Sequence, residues 1–593
     1  MKTVSLLKRA SLIGILATTG LAMASCDDSG VPEVGDIACD NLDETNCALP
    51  FPSDYFRKPA AGGKPAQIDF GQALPVNDLS GERISPEPFK VSDGFPILPS
   101  ITFSLPGAVL TDAPGLSTIA RSVSPSALTV VIDADTGEKQ AHWVEFDWTA
   151  EEVGTKVIQV KLAKVLKHSH RYIVAVRGLK DATGKVVPAT RGFMALRDKT
   201  GSRIQGIQSR QAHFDSDIFP QLEKAGIPRA ELQLAWDFTT VSEGNATGLL
   251  VAMRDDLMAK IGTEGPEYTV KEVKKDPDGP TELIETRIVL NVKVPNYMIP
   301  PANKGGLARV RLDASGKPVA EGTVDTEVVV QIPRTMRTQE KPGGVMQYGH
   351  GFLGSAGEAN GGWLRKFASR RGFMIVAQNF EGMDENIEIS WFQLLPRDGS
   401  SIPIISEHPM QGYMNQLATQ RLVRGRLAKD PLFQQNGAAV YDRDKLFYHG
   451  NSQGGTNGVL MTALSQDVTR TCLGEPGIGM GAILYRANNW RDLMPAIRPG
   501  YPNPLDFVIM QDLVPVGWIR TDGGTFGPRM TDNPLPNTPK HHVLIHAALE
   551  DAQVNNDVTR VLVRTIGAKH LNPVTRDNFG ITGIDSPVTD GDV

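Results

Sequence analysis

No cluster of lysine and arginine stands out in this chain, and its formal net charge is −6 at pH 7. Both observations argue against nucleic acid as a partner. No repeat of solenoid period and no low-complexity tract is found, which excludes a repeat array and a compositionally biased tail. The apolar stretch at residues 10–22 is too short for a comfortable membrane span. No group of histidine, cysteine and aspartate has the spacing of a zinc site. The aspartates of Asp276-Pro277-Asp278-Gly279 lack the ligand pattern of a calcium loop and read as a hairpin tip. What is present, 40% hydrophobic and 22% charged residues over 593 positions, is the composition of an ordinary globular protein with room for several domains.

The first segment is for export. Lys2, Lys8 and Arg9 form a positive n-region ahead of the apolar stretch. Met23-Ala24-Ser25-Cys26 resembles a lipobox, in which Cys26 is lipidated and becomes the mature N-terminus. Methionine at its first position departs from the usual leucine, and cleavage near Ala24 with Cys26 left as a thiol is the alternative. The polar tether Asp27-Asp28-Ser29-Gly30 favours the anchor, through which acyl chains hold the protein to a bacterial membrane, at the cell surface or the periplasmic face. Cys39 and Cys47 flank a polar loop in a chain bound for an oxidising compartment, as a disulfide requires. Cys472 is expected to be a buried core thiol.

After the signal (1–25) and an N-terminal extension (26–89), short strands at 90–200 alternate with turns at Asp135-Thr136-Gly137 and Asp181-Ala182-Thr183-Gly184. That spacing predicts an antiparallel β-sandwich, immunoglobulin-like. A connecting region (201–340) follows, helical over 203–262 and β-rich over 268–335. From 341 to 593 strand and helix alternate, which predicts a mostly parallel sheet flanked by helices, an α/β domain. A Pro-rich, aromatic-rich insertion at 477–539, with Tyr485, Trp490, Tyr501, Phe507 and Trp518, either caps the active site or packs against the N-terminal domains.

Three motifs in the α/β part carry chemistry. Leu446-Phe447-Tyr448-His449 runs into Gly450-Asn451-Ser452-Gln453-Gly454, and a helical pattern follows at once. Strand, sharp turn and helix are the context of a nucleophile elbow, with Ser452 thrust out above a helix N-terminus that favours a developing oxyanion. Upstream, Val345-Met346-Gln347-Tyr348 ends in Gly349-His350-Gly351-Phe352-Leu353-Gly354, an oxyanion loop. The N–H groups of Phe352 and Gln453 are the expected oxyanion donors, Gly351 permits close approach, and His350 is expected to brace the loop. Downstream, His541-His542-Val543-Leu544-Ile545-His546-Ala547-Ala548 reads as a strand with Leu549-Glu550-Asp551 at its end, where the acid of a triad belongs. A helix cap is the alternative role for Asp551.

On these motifs, residues 341–593 resemble the catalytic domain of the α/β-hydrolase superfamily, lipase and esterase branch. The upstream half resembles large bacterial lipase-like lipoproteins of the virulence-factor lipase type, through Leu49-Pro50-Phe51-Pro52-Ser53-Asp54 and Leu234-Ala235-Trp236-Asp237-Phe238-Thr239-Thr240. The resemblance implies a serine carboxylic ester hydrolase acting through an acyl-enzyme on Ser452, on hydrophobic or lipid esters, with no metal or organic cofactor. A polyester depolymerase or peptidase on the same fold is the near alternative. A non-catalytic surface-binding lipoprotein is the distant one.

The general base is the member that fails to appear. The order in this fold is Ser, acid, His, and His570 is the only histidine after Asp551. The helix expected at 554–566 returns the chain to the N-terminal edge of the sheet, which leaves His570 a strand's length from Ser452. The base is therefore expected beyond the chain end, with the catalytic domain truncated. His408, in the long loop after the Phe373 strand, is the substitute on the catalytic face.

Overall fold

The computed structural model describes residues 38–59, 62, 65–150, 156–301, 306–387 and 393–588, so Cys26 and the export segment lie outside the described residues. In the N-terminal half, six strands build two antiparallel sheets: β1 (Ile101–Phe103), β2 (Thr129–Asp133), β3 (His142–Phe146), β4 (Ile158–Leu162), β5 (Arg171–Arg177) and β6 (Leu232–Thr239). Their orders are β1-β4-β3 and β2-β5-β6. Thr129–Asp133 and Ile158–Leu162 are buried at every position, the polar Gln159 and Lys161 included.

The second of these sheets is not contained in 90–200, because β6, from the region expected to be helical, supplies its third strand beside β5. Leu234 and Trp236 are fully buried in it, and pairing with β5 satisfies its backbone, so tertiary context decides the conformation. Helix α1 (Glu243–Ile261) then starts at Ser242, whose hydroxyl accepts the Asn245 N–H, and buries Ala246, Leu250, Met253 and Leu257 at helical spacing. The two segments that carried the upstream resemblance meet here. The Trp236 indole N–H donates to the Pro52 carbonyl at 2.8 Å, and the Asp54 carboxylate accepts the Thr239 N–H and hydroxyl at 2.8 and 2.6 Å. Cys39 and Cys47 form a disulfide.

The second half is one mixed sheet of eight strands: β7 (Tyr268–Lys275), β8 (Ile284–Pro295), β9 (Thr323–Pro333), β10 (Gly343–Gly349), β11 (Phe373–Gln378), β12 (Tyr441–Asn451), β13 (Arg470–Gly474) and β14 (His542–His546). Its order is β14-β13-β12-β10-β11-β9-β8-β7. The five strands from β14 to β11 are parallel and β9, β8 and β7 are antiparallel. The β-rich stretch expected in a separate connecting region is thus the antiparallel wing of the same sheet. On β8, Ile284, Ile288, Leu290, Val292 and Val294 point inward while Glu285, Arg287 and Asn291 face out, the alternation of a half-solvated antiparallel strand. The hairpin tip between β7 and β8 carries Asp276 and Asp278, which pair with Arg334 and Arg365.

Helix α2 (Gly362–Arg371) covers one face of the sheet over Met346, Ile375 and Ala377. Helices α3 (Met410–Arg424) and α4 (Gln453–Leu464) cover the other, and every residue of α4 is buried. The α2 face is thinly covered toward β14: Phe447, His449, Cys472 and Leu544 line an open groove of about 630 Å³ there. Cys472 is accordingly half-buried rather than a core thiol, because Thr471 and Leu473 take the inward positions of β13. The insertion between β13 and β14 forms helices α5 (Met480–Arg486), α6 (Asn488–Ile497) and α7 (Pro504–Trp518), and α8 (Asn556–Ile566) follows β14.

Candidate active site

β12 delivers Ser452 to the C-terminal edge of the sheet, and α4 begins at the next residue. Ser452 sits at φ +56° and ψ −116°, a region costly for any residue with a Cβ. Three bonds hold it there. Its N–H donates to Gly474 on β13 at 2.9 Å, its carbonyl accepts the Thr456 N–H at 2.9 Å, and the Tyr448 hydroxyl donates to the Gly454 carbonyl at 2.6 Å. The two flanking glycines answer to space: a Cβ on Gly450 would overlap the Gly454 carbonyl, and one on Gly454 would overlap the carbonyl of Gly349. The hydroxyl therefore stands at the N-terminus of a buried helix of 12 residues, where unpaired N–H groups and positive potential favour an anion.

The loop after β10 packs against this elbow. His350 is fully buried; its Nδ1–H donates to the Gly351 carbonyl at 2.9 Å and its Nε2 accepts the Phe380 N–H at 2.8 Å. Both nitrogens are spent and burial lowers its pKa, so it is a neutral brace. The Glu358 carboxylate accepts the Gly351 N–H at 3.0 Å and the Tyr348 hydroxyl at 3.1 Å. Gln453 bridges loop and elbow: its amide oxygen accepts the Leu353 N–H at 3.3 Å and its amide nitrogen donates to the Met383 carbonyl at 2.6 Å. Phe352 and Gln453 line one small cavity with Ser452, whose volume is about 50 Å³ and whose remaining walls are almost wholly apolar. Met480, Ile483, Leu484 and Ala487 of the insertion close it from above. The insertion also packs on the N-terminal half, since the Tyr485 hydroxyl bonds Asp147 and accepts the Trp148 N–H.

The other expected residues are dispersed. Asp551 lies beyond β14, where its carboxylate accepts the N–H groups of Gln553 and Val554 at 2.7 and 3.0 Å and so shapes the turn that sets both residues in the cavity wall. His570 pairs through its backbone with Thr582 in a separate two-residue ladder with Gly583, and is not among the residues lining the cavity. His408 is half-buried against the connecting region, its Nδ1 accepting the Ala308 N–H at 3.1 Å, and partial burial lowers its pKa. Among the described residues, those lining the cavity include no histidine.

Sequence reading passed over Glu475. It follows β13 directly, at φ +48°, with its N–H donating to the His546 carbonyl at 2.8 Å. One carboxylate oxygen is buried without a hydrogen-bond partner. Burial raises its pKa first and the nearby Asp551 raises it further, while His546 and the Ser452 N–H draw it back. The available signal was an acid at the end of the strand after the nucleophile strand, in Gly474-Glu475-Pro476.

No family model matches the chain, and no curated protein matches it. Among solved structures it is similar to acetyl xylan esterase 1 from Thermoanaerobacterium sp. JW/SL YS485, at 14% identity and a TM-score of 0.34, over 57% of this chain and 84% of that one. It is similar to an acetyl xylan esterase from Paenibacillus sp. R4, at 14% identity and 0.34, over 57% and 86%. A glucuronoyl esterase from Teredinibacter turnerae T7901 aligns at 12% identity and 0.26, over 55% and 77%.

Proposed function

We propose that this protein is a serine carboxylic ester hydrolase of the α/β-hydrolase type. The observation that carries the reading is the strained Ser452 at the tip of a strand–turn–helix, with a glycine loop braced by a neutral His350 packed beside it. The Ser452 hydroxyl gives its proton to a general base as it attacks the ester carbonyl, the tetrahedral oxyanion is received by the N–H groups of Phe352 and Gln453 above the α4 N-terminus, and the base passes the proton on to the departing alcohol. Collapse releases the alcohol and leaves an acyl-enzyme, which water clears. Glu475 and Asp551, on adjacent strand ends, are the carboxylates available to orient a base. Cys26 anchors the exported protein to a membrane through acyl chains in this reading. The test is a fluorophosphonate probe with short-chain nitrophenyl esters. Wild type should be labelled and active, and Ser452→Ala should be unlabelled, inactive and folded. An unlabelled wild type with no esterase activity would overturn the reading.

A further inference from the structure

We propose that the site accepts only short acyl groups, of about two to four carbons, because the N-terminal half clamps the helix that roofs it. The inference rests on the esterase reading of Ser452 and adds the substrate class. The cavity beside Ser452 has a volume of about 50 Å³. A single water needs roughly 10–15 Å³ of such space and takes about 30 Å³ in the liquid, so the cavity holds on the order of two to five heavy atoms. An acetyl group has three heavy atoms and a butanoyl group five, whereas an octanoyl chain has nine.

A cavity limits chain length only if its walls stay in place, and α5 has two faces that bear on this. Met480, Ile483, Leu484 and Ala487, spaced three and four apart, point into the cavity. The opposite side, Tyr485 and Arg486, is bound to the N-terminal sheet. The Tyr485 hydroxyl bonds the Asp147 carboxylate just beyond β3 and accepts the Trp148 N–H at 3.2 Å, and the Lys161 ammonium of β4 lies 4.9 Å from the centre of its ring. Arg486 bridges Glu145 on β3 and Asp557 on α8, the latter at 2.7 Å. The start of the helix is fixed as well: the buried Asp522 carboxylate accepts the N–H groups of Gly479 and Met480 at 2.9 and 2.6 Å. Lengthening the acyl chain would mean displacing α5 against three anchors from three different parts of the fold. Overfilling a packed site is resisted, since its atoms have nowhere to go.

The experiment is a chain-length profile of nitrophenyl esters from acetate to dodecanoate, for the full chain and two variants, with folding checked by circular dichroism. Wild type should show kcat/KM for the butanoate at least ~100-fold above that for the dodecanoate. Ile483→Ala, which enlarges the cavity from inside, should move the optimum toward hexanoate or octanoate. Tyr485→Phe combined with Arg486→Gln, which touches no lining residue and only loosens the clamp, should narrow the ratio by raising the long-chain values. Dodecanoate turned over as well as butanoate by wild type would overturn the inference and leave the esterase reading intact. A profile unmoved in both folded variants would overturn the assignment of the limit to α5. No hydrolysis of any ester, together with no phosphonate labelling, would remove the esterase reading and this inference with it.

Discussion

The backbone N–H of Ser452 donates to the carbonyl of Gly474 at 2.9 Å, so the nucleophile is tied to the end of the neighbouring strand. The residue after Gly474 is Glu475, which brings an underbonded carboxylate to the same edge. One backbone bond thereby sets both the serine's strained geometry and its distance from an acid.

Replacing Ser452 by glycine should stabilise the protein while abolishing activity. The serine holds φ +56°, which costs a residue with a Cβ about 1 kcal/mol and glycine almost nothing. Urea unfolding should show a higher midpoint for Ser452→Gly than for wild type. A lower midpoint would show that the elbow stores no strain. Gly454→Ala should act the other way, at a cost of about 1–3 kcal/mol, because its Cβ meets the Gly349 carbonyl.

Glu475→Gln should lower kcat with little change in KM and should alter the pH profile. If the ionised carboxylate orients the base, activity falls as pH drops through its pKa. Burial and Asp551 place that pKa above the usual glutamate value of 4.5. The acidic limb of wild-type kcat/KM should begin correspondingly high and be absent in the glutamine variant. An unchanged acidic limb would return Glu475 to a packing role. Asp551→Asn should also reduce kcat, and normal kinetics there would leave Asp551 as the residue that shapes its turn.

Thermal stability should fall as pH rises from about 4 to about 7, on account of Asp512. This aspartate is fully buried at the contact between α7 and the N-terminal sheet, and burial raises its pKa from 3.8 to about 7, with Asp147 adding to the rise and the Lys161 ammonium opposing it. In that window the native carboxyl keeps a proton that the unfolded chain has lost, so the contribution to stability declines by on the order of 1 kcal/mol per pH unit and levels off above pH 7. Asp512→Asn removes the titration, and its Tm should depend less on pH across the window than that of wild type. Parallel curves would exclude Asp512 as the source.

The anchor is tested by phase separation. With Cys26 lipidated, the mature protein should partition into detergent and its N-terminal peptide should carry the mass of a diacylglycerol. Cys26→Ser should release a soluble form or stall processing. A wild-type protein that is soluble and cut near Ala24 would rule the anchor out.

Local chemistry alone determined the elements around Ser452. Val345–Tyr348, Phe373–Ala377 and Leu446–His449 are runs of largely buried strand residues in a parallel sheet, and the glycines after the first and third sit where backbones must pass within contact distance. Such signals are complete within a few residues, and so is the bracing role of His350, whose Nδ1 partner is its own neighbour. Tertiary structure alone decided the rest. Leu232–Thr239 became a strand because β5 offers an edge to its backbone, and Cys472 stayed half-exposed because α2 does not reach it. Glu475 acquired its place beside Ser452 through the register of β12 against β13, and α5 its two roles through contact with residues more than 300 positions upstream. Those features depend on which surfaces meet, and the energy of a surface contact belongs to both partners, so neither segment's residues encode it alone.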